Sequence, residues 1–403
     1  MAKHSRDIGL LAGLVYFTQG ALGITGIALP LFLRDLNWQV SEITTVASIA
    51  AIPWTLKILY GLLSDCFPLF GYRRKSYLML FACFSALGWL LLVLLPSDKK
   101  WILLSLLFAN LGFAATDVIT DGLIVEHSRG MSSHLYQSIA WGTRSLGAII
   151  SGITGGWLAE HWPAKDVFLI TVFLPLPVLL FASRLVEKRM ERGPFHSVLE
   201  PLKRCVSILM LPNIRWFLLL LFIATLSSSF GVPFFFHMKE SLGFKETFLG
   251  ALVSLGWTGA VIASVVYGKW LSKISPKVTL RIAIALNSVN ILSTLLISDT
   301  QSAFFIIFIG GMMSCFTLLP IMSFSAMLTH HSGVEGSLFA VLMSIFNLGQ
   351  ILFGFLGGKL YPYTGLYPLI WVTGILSLLG LLVVERLQFT LPPHSEEATG
   401  TAA

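Results

Sequence analysis

The fold is decided by the stretch Asn110-LGFAATDVITDGLIVE-His127, in which two aspartates, Asp117 and Asp121, interrupt a run that is otherwise apolar. The run is long enough to cross the roughly 30 Å hydrocarbon layer of a membrane as one helix. Within such a helix the two carboxylates share a face, because residues i and i+4 align. A charge at bilayer depth costs roughly 2.5–3.5 kcal/mol on insertion scales, so its presence indicates a function.

Two other apolar runs carry the opposite charge. Lys57 lies in the run SIAAIPWTLKILYGLL, and Arg144 lies in the run Tyr136-QSIAWGTRSLGAIISG. Counted at about 1.5 Å per residue from the charged ends of their helices, all four side chains fall at similar depths. We therefore expect Lys57 to contact Asp121. We expect Arg144 to contact either aspartate, with all four groups in one water-filled chamber.

The composition of the whole chain also places it in a membrane. Of its 403 residues, 55% are hydrophobic and only 12% are charged, whereas soluble domains have about 25% charged residues. The fold class is therefore an all-α membrane protein with twelve transmembrane helices. The apolar runs that predict these helices lie near 8–33, 42–63, 76–96, 101–126, 135–160, 165–186, 213–237, 246–270, 277–297, 302–328, 335–360 and 364–385.

The longest polar stretch, from Arg184 to Ile214, separates six of these runs from the other six. It predicts two six-helix bundles, which in many transporters are repeats with the substrate site between them. The predicted domains are an N-terminal six-helix bundle over 1–186, a cytoplasmic connector over 187–212, a C-terminal six-helix bundle over 213–386 and a disordered tail over 387–403.

The basic residues predict the orientation of the chain. Most of the 27 lysines and arginines lie at the end of the predicted helices that also holds both termini. The positive-inside rule then places both termini in the cytoplasm, and anionic lipid explains the net charge of +7 without nucleic acid. We expect a multi-pass, monomeric protein of the plasma membrane, specifically a bacterial inner membrane, whose partners are lipid, protons and a small-molecule substrate.

The four intramembrane charges have two interpretations. In the first they bind the substrate or a proton: a substrate carboxylate takes the guanidinium of Arg144, and the freed aspartate accepts a proton or a substrate N–H. In the second they form an ion-pair network that holds helices together or gates the cytoplasmic side. Trp54 and Trp141 lie at similar depths, where a planar ring can stack on them, although either also suits ordinary packing. The weaker polar candidates in the second half are Asn287, Asn290, Asn347 and Gln350.

A second set of charges lies at the predicted cytoplasmic ends of the helices. In the loop Gly61-LLSDCFPLFGYRRK-Ser76, an aspartate precedes three consecutive cations, which suits a latch that locks the two halves in one state. An ordinary positive-inside loop is the alternative. Glu335, at the start of the eleventh span, either is stabilised by the helix dipole or forms a gate against the second or fourth span. The gating candidates are Asp65, Arg73, Arg74, Glu126, Arg129 and Glu335.

The sequence contains no catalytic signature. It lacks H-E-x-x-H, a P-loop, a nucleophile elbow and a Cys/His metal cluster. We therefore expect neither an enzyme nor a cofactor or metal site. A channel or lipid scramblase would need a continuous polar stripe, whereas the buried charges all lie in the first half.

Several of these stretches resemble the folate–biopterin transporter family of the major facilitator superfamily. They are Ser64-DCFPLFGYRRKSYL, preceded by Pro53-WTLKILYGLL, together with Asp117-VITDGLIVEHSR, Val334-EGSLFAVLMSIFNLG and the opening Leu14-VYFTQGALGI. The resemblance implies the major facilitator fold and uptake of folates or pterins by symport with protons. It also places both intramembrane aspartates and Arg144 at substrate-linked positions, and Lys57 at a basic position of the second helix.

On this resemblance, the glutamate carboxylates of a folate would meet Arg144 and Lys57. Its amino-pyrimidine ring would donate N–H groups to one of the two aspartates, and one of the two tryptophans would stack on the ring. Parts of the second to fourth helices also resemble muropeptide permeases and acetyl-CoA transporters, and some relatives of the folate group are thought to carry S-adenosylmethionine. A permease for such an organic anion or nucleotide-like solute is therefore the alternative.

Overall fold

The computed structural model describes residues 2–127, 131–189, 196–329 and 335–389. Within these ranges the chain is helical, without a β-strand. The helices of the first half are α1 (Ala2–Ala21), α2 (Thr25–Asp35), α3 (Val40–Ala50), α4 (Lys57–Cys66), α5 (Lys75–Leu94), α6 (Lys99–His127), α7 (Met131–His161), α8 (Ala164–Val172) and α9 (Leu176–Arg184). Those that follow are α10 (His196–Leu209), α11 (Pro212–Ala224), α12 (Gly231–Phe236), α13 (Glu246–Lys269), α14 (Pro276–Ser293), α15 (Thr300–Thr329), α16 (Glu335–Thr364) and α17 (Leu366–Arg386).

Ten of the twelve predicted spans are long and apolar enough, over the described residues, to cross a membrane. The span predicted over 42–63 is instead divided into α3, a 3₁₀ turn over Ile52–Thr55 and α4. Pro53 contributes to this break, because it has no N–H to donate. The span predicted over 135–160 is α7, whose 31 residues extend for roughly 46 Å. Two charges within it, Arg144 and Glu160, lower its hydropathy.

Each half buries its own apolar core. In the first half, α5 packs against α6, α8 and α9, and α1 packs against α7. In the second half, α15 packs against α13 and α14, and α17 packs against α11 and α14. The largest fully buried side chains of these cores include Ile8, Leu11, Ile119, Phe217 and Phe324.

Two glycines bring α1 and α7 into backbone contact. A Cβ atom on Gly20 would lie 2.0 Å from the carbonyl oxygen of Arg144, and one on Gly147 would lie 2.4 Å from that of Phe17. Because neither helix can accept a larger residue here, the crossing is fixed at the level of Arg144. The N-terminal helix is thereby held beside the intramembrane charges.

We expect Gly20→Ala to destabilise the protein. The added methyl group overlaps a backbone oxygen rather than a flexible side chain, so the two helices must separate. Overpacking of this kind typically costs about 1–3 kcal/mol. Gly26→Ala is the matched control, because a Cβ atom there meets nothing within 4 Å. Thermal unfolding in detergent should show a lower melting temperature for Gly20→Ala only, and equal melting temperatures would contradict this account of the crossing.

The two halves contact each other mainly through α7 with α13 and through α3 with α16. A Cβ atom on Gly250 would lie 2.3 Å from the carbonyl oxygen of Gly152, and the Ser254 hydroxyl donates to the carbonyl of Ile149 at 2.6 Å. The α7–α13 contact is therefore made largely by backbone atoms. In the second contact, a Cβ atom on Gly358 would lie 2.6 Å from the Thr44 Cβ.

The halves also meet at one end of the bundle. We call the end that holds the start of α1 and the end of α17 the termini end, and the other the opposite end. At the opposite end, the Arg34 Nε lies 2.7 Å from the Glu240 Oε1, and the Arg34 Nη2 donates to Oε2 at 3.2 Å. Glu160 accepts the N–H of Thr247, in the first turn of α13, at 3.1 Å. Polar contacts thus join the halves at the opposite end.

Candidate substrate site

Asp117 lies at the centre of a buried polar network in the first half. Its Oδ2 is 2.7 Å from the Nζ of Lys57, and its Oδ1 accepts a hydrogen bond from the Nε2 of Gln19 at 2.7 Å. Only 3% of Asp117 is exposed. Both carboxylate oxygens therefore have partners, as a buried charge requires.

The prediction that Lys57 contacts Asp121 is wrong by one helical turn. The long, flexible stem of the lysine carries its ammonium beyond the depth of its own backbone. It meets the deeper carboxylate, Asp117, while Asp121 accepts a hydrogen bond from the hydroxyl of Tyr16 at 2.6 Å. Counting residues along a helix fixes the depth of a backbone atom but not the position of a side-chain tip.

Asp121 differs from its neighbour in having no cation partner. Among the residues described, no lysine or arginine nitrogen lies within 4 Å of it, and its hydrogen-bond donor is Tyr16. That tyrosine is only 5% exposed. The two aspartates of α6 thus have distinct environments: one is an ion pair, and the other is a carboxylate held by a phenol.

Arg144 does not form the predicted ion pair. Over the described ranges, no carboxylate lies within 4 Å of its guanidinium, which instead covers the ring of Trp141 with its Cζ 5.2 Å from the ring centre. Trp141 is three residues earlier on α7 and therefore on the same face. Both aspartates already have closer partners, Lys57 and Tyr16. The guanidinium remains near enough to attract both carboxylates.

Trp54 joins the two halves next to this network. Its indole N–H donates to the Oδ1 of Asn110 at 2.9 Å, and its ring centre lies 5.5 Å from the Nζ of Lys57. Its carbonyl accepts a hydrogen bond from the Nδ2 of Asn347 on α16 at 3.0 Å. The break between α3 and α4 exposes this carbonyl, because the 3₁₀ turn does not continue the α-helical pairing.

A cavity of about 1460 Å³ lies between the halves. It exceeds the roughly 300–1,000 Å³ of most small-molecule sites. From Ile27 and Phe234 it continues to Ala326 and Phe339, which lie near the termini end of their helices. Its wall comes mainly from α7, α13 and α15, and its lining residues, all within the described ranges, include no lysine, arginine, aspartate or glutamate.

The expectation of one chamber for all four charges is therefore wrong. Trp141 and Ser145 line the cavity, but the four charged residues and Trp54 are not part of the described wall, and Arg144 reaches it only through its contact with the ring of Trp141. The Lys57–Asp117 pair is instead enclosed among the helices of the first half, where burial strongly favours a paired over an isolated charge.

The predicted gating charges form a cluster at the termini end. Arg74 lies 2.8 Å from Asp65 and 2.6 Å from Glu126, and Arg73 lies 2.6 Å from Asp65. Glu187, which the sequence did not single out, accepts the backbone N–H groups of residues 73, 74 and 75. It thereby satisfies donors at the start of α5.

The described contacts of this cluster lie within the first half, and the latch between the halves stays a prediction. The partners that the structure describes for it all belong to the first half, so the ion pairs join the 67–74 loop to α4, α6 and the segment after α9. Gly122 makes room for it, because a Cβ atom there would lie 2.9 Å from the Cζ of Arg74. Arg129 lies outside the described residues. Glu335 is the first residue of α16, but its side chain also lies outside the description.

Two further site residues come from α1. Gln19 binds Asp117 and Tyr16 binds Asp121. The signal was present in the sequence: polar atoms three residues apart within an apolar run share a helix face. The first half thus contributes an intramembrane network built from α1, α4, α6 and α7.

Solved structures share this fold at low sequence identity. A POT family transporter in complex with 5-aminolevulinic acid aligns with a TM-score of 0.76 and 13% identity, covering 94% of this chain and 95% of that one. The human organic anion transporter MFSD10 (TETRAN) aligns with a TM-score of 0.71 and 14% identity, covering 94% and 99%. The predicted fold, with twelve transmembrane helices in two six-helix bundles, is thereby confirmed.

Sequence comparison finds relatives that are named transporters, so this chain is a multi-pass membrane transporter of a small molecule and not an enzyme. The folate-biopterin transporter of Synechocystis sp. is 30% identical over 94% of this chain and 78% of that protein. Folate transporter 1 of Plasmodium falciparum is 26% identical over 96% and 80%. Residues 19–392 match the family model described as "BT1 family". The chain belongs to the BT1 family.

Proposed function

We propose that this protein takes up a folate or pterin across the plasma membrane together with protons, by alternating access. The observation that carries the proposal is the contact of Arg144, whose guanidinium has no carboxylate within 4 Å among the described residues, with Trp141, which lines a large cavity without charged lining residues. Such a guanidinium favours an anionic ligand, because it binds carboxylates in a planar, bidentate manner. The relatives named as folate transporters support the same substrate class.

The site suits a ligand that is aromatic as well as anionic. Trp141 lines the cavity and contacts the guanidinium of Arg144 with its ring, and Trp257 lines the same cavity from α13. A planar ring gains contact area on such side chains at low conformational cost. We propose that Arg144 binds a substrate carboxylate while an indole packs against the adjoining ring.

The environment of Asp121 supports proton coupling. A carboxylate inside the membrane that has a phenol but no cation as its partner holds its charge at a high cost. Taking up a proton removes this charge, whereas Asp117 keeps its charge balanced by Lys57. We therefore propose Asp121 as the proton site, with Tyr16 as its hydrogen-bond donor in the ionised state.

The contacts between the halves suit alternating access. The two halves contact each other at the opposite end through Arg34–Glu240 and Glu160–Thr247, while the cavity between them continues toward the termini end. With both termini cytoplasmic, as the basic residues predict, this is the state that releases substrate into the cell. Uptake then requires the Arg34–Glu240 contact to open. We propose a monomer in a bacterial inner membrane, with the two bundles and connector predicted from the sequence.

Transport into proteoliposomes tests the proposal. Radiolabelled folate, S-adenosylmethionine and a muropeptide are compared with and without an inward pH gradient, and we expect concentrative uptake of folate only with the gradient. Uptake of either rival solute without folate uptake would overturn the proposed substrate class.

Arg144→Gln tests the site itself. Loss of a charge-assisted hydrogen bond is worth about 1.5–3 kcal/mol, so the apparent affinity for folate should fall by roughly 10- to 100-fold. Arg281→Gln is the control, because Arg281 forms an exposed ion pair with Glu385, and such pairs contribute little. Wild-type affinity in Arg144→Gln would reject this arginine as the anion site.

A further inference from the structure

We infer that the second half holds the uncharged ring of the substrate, in a subsite made by Trp257, Asn290 and Ser314. This inference rests on the proposed function, and it adds a binding mode that places the ring away from the intramembrane aspartates. All three residues line the cavity. They come from α13, α14 and α15, whereas Trp141 and Ser145 line the same cavity from α7.

The polar groups of this subsite are paired with each other. The Nδ2 of Asn290 donates to the Oγ of Ser314 at 3.0 Å. An asparagine amide has two donor hydrogens and an acceptor oxygen, so this single bond leaves capacity for a ligand. A carboxamide presents a donor and an acceptor side by side. The amino-oxo edge of a pterin ring presents the complementary pair.

Glycine gives Asn290 access to the cavity. Asn290 lies on α14, behind α15, and a Cβ atom on Gly310 of α15 would lie 2.7 Å from its Oδ1. The next residue, Gly311, packs against α13, where a Cβ atom would lie 2.0 Å from the carbonyl oxygen of Gly256. The side of α15 in front of Asn290 is therefore bare backbone, and the amide takes the space that a side chain would fill.

The absence of charge in the wall favours a neutral ring at this place. The described lining residues include no ionisable carboxylate or cation, so the subsite offers hydrogen bonds and aromatic surface without a net charge. An anionic group buried there would lack a counter-charge, which is costly. The substrate should therefore orient with its ring toward Asn290 and its carboxylate toward Arg144.

Binding of substrate fragments to the purified protein tests this orientation. The three probes are biopterin, which has the ring without a carboxylate, p-aminobenzoylglutamate, which has the carboxylates without the ring, and folate. Asn290→Ala should weaken biopterin and folate by roughly tenfold, the usual effect of one lost hydrogen bond, and leave p-aminobenzoylglutamate unchanged. Arg144→Gln should weaken folate and p-aminobenzoylglutamate and leave biopterin unchanged.

The controls separate this inference from the proposed function. Ser293→Ala, one turn along α14, removes a hydroxyl that donates to the backbone carbonyl of Asn290 at 2.8 Å, and it should bind all three probes normally. Ser314→Ala provides a second test of the subsite should Asn290→Ala fold poorly. If Asn290→Ala and Ser314→Ala spare biopterin, or weaken p-aminobenzoylglutamate equally, the inference is overturned. If the wild-type protein binds none of the probes, the proposed function itself fails.

Discussion

Lys57→Met is expected to lower the free energy of unfolding by about 3–5 kcal/mol, because it leaves the carboxylate of Asp117 buried without its cation. Methionine keeps most of the lysine stem, so the change removes charge more than volume. Thermal unfolding in detergent measures the loss. Lys99→Met is the matched control, since Lys99 pairs with Glu42 at an exposed site, where an ion pair is worth about 0–1 kcal/mol.

The double variant Lys57→Met/Asp117→Asn shows what the pair does. It removes both charges, and the asparagine can still accept the hydrogen bond from Gln19, so we expect most of the lost stability to return. Because the proposed function gives neither residue a part in substrate binding or proton transfer, folate uptake should recover to within a few-fold of wild type. Recovery of stability without uptake would instead assign the pair a direct part in transport.

Asp121→Asn is expected to abolish concentrative uptake while leaving the protein folded and able to bind folate. The asparagine oxygen can still accept the hydrogen bond from Tyr16, but the side chain can no longer take up and release a proton. With one proton per substrate, a gradient of one pH unit supports roughly tenfold accumulation, which is equivalent to 1.4 kcal/mol. The variant should reach no accumulation, although folate exchange across the membrane should persist.

The pH dependence of uptake gives a second readout for the same residue. Uptake by the wild-type protein should rise as the external pH falls, because the carboxylate must be protonated on the outside. The rate in Asp121→Asn should be nearly independent of external pH. Asp166→Asn, at an exposed position in the first turn of α8, is the control and should behave as wild type. Gradient-driven accumulation in Asp121→Asn would exclude this residue as the proton site.

The sequence predicted the helices well because hydrophobic length is a local property. Runs of about 20 apolar residues must cross the membrane as helices, and the spacing of Asp117 and Asp121 placed both on one face. The cluster of Asp65 with Arg73 and Arg74 also followed from sequence proximity. Its contacts with Glu126 and Glu187 did not, because these two residues come from distant parts of the chain.

Which side chains contact each other in the site depends on how the helices pack side by side. The depth of a residue along its own helix does not determine this packing. Gly20 and Gly147 set the distance between α1 and α7, while the packing of α1 against α6 brings Gln19 and Tyr16 to the aspartates. The asparagines of α14 show the same limit. Asn287 and Asn290 are one turn apart, yet Asn287 is buried against Ser377, while Asn290 lines the cavity.

The glycine contact between α7 and α13 has a consequence for the speed of transport. Since Gly152, Gly156 and Gly250 present backbone to backbone, few side chains at these positions would have to separate if the halves move as the proposed alternating-access cycle requires. The two helices would then slide over each other without having to repack interlocked side chains. The barrier between the two states of the proposed cycle would then be set by the contacts that close each end of the cavity. We therefore expect substitutions at Arg34 or Glu240 to change the turnover rate and to leave the substrate site intact.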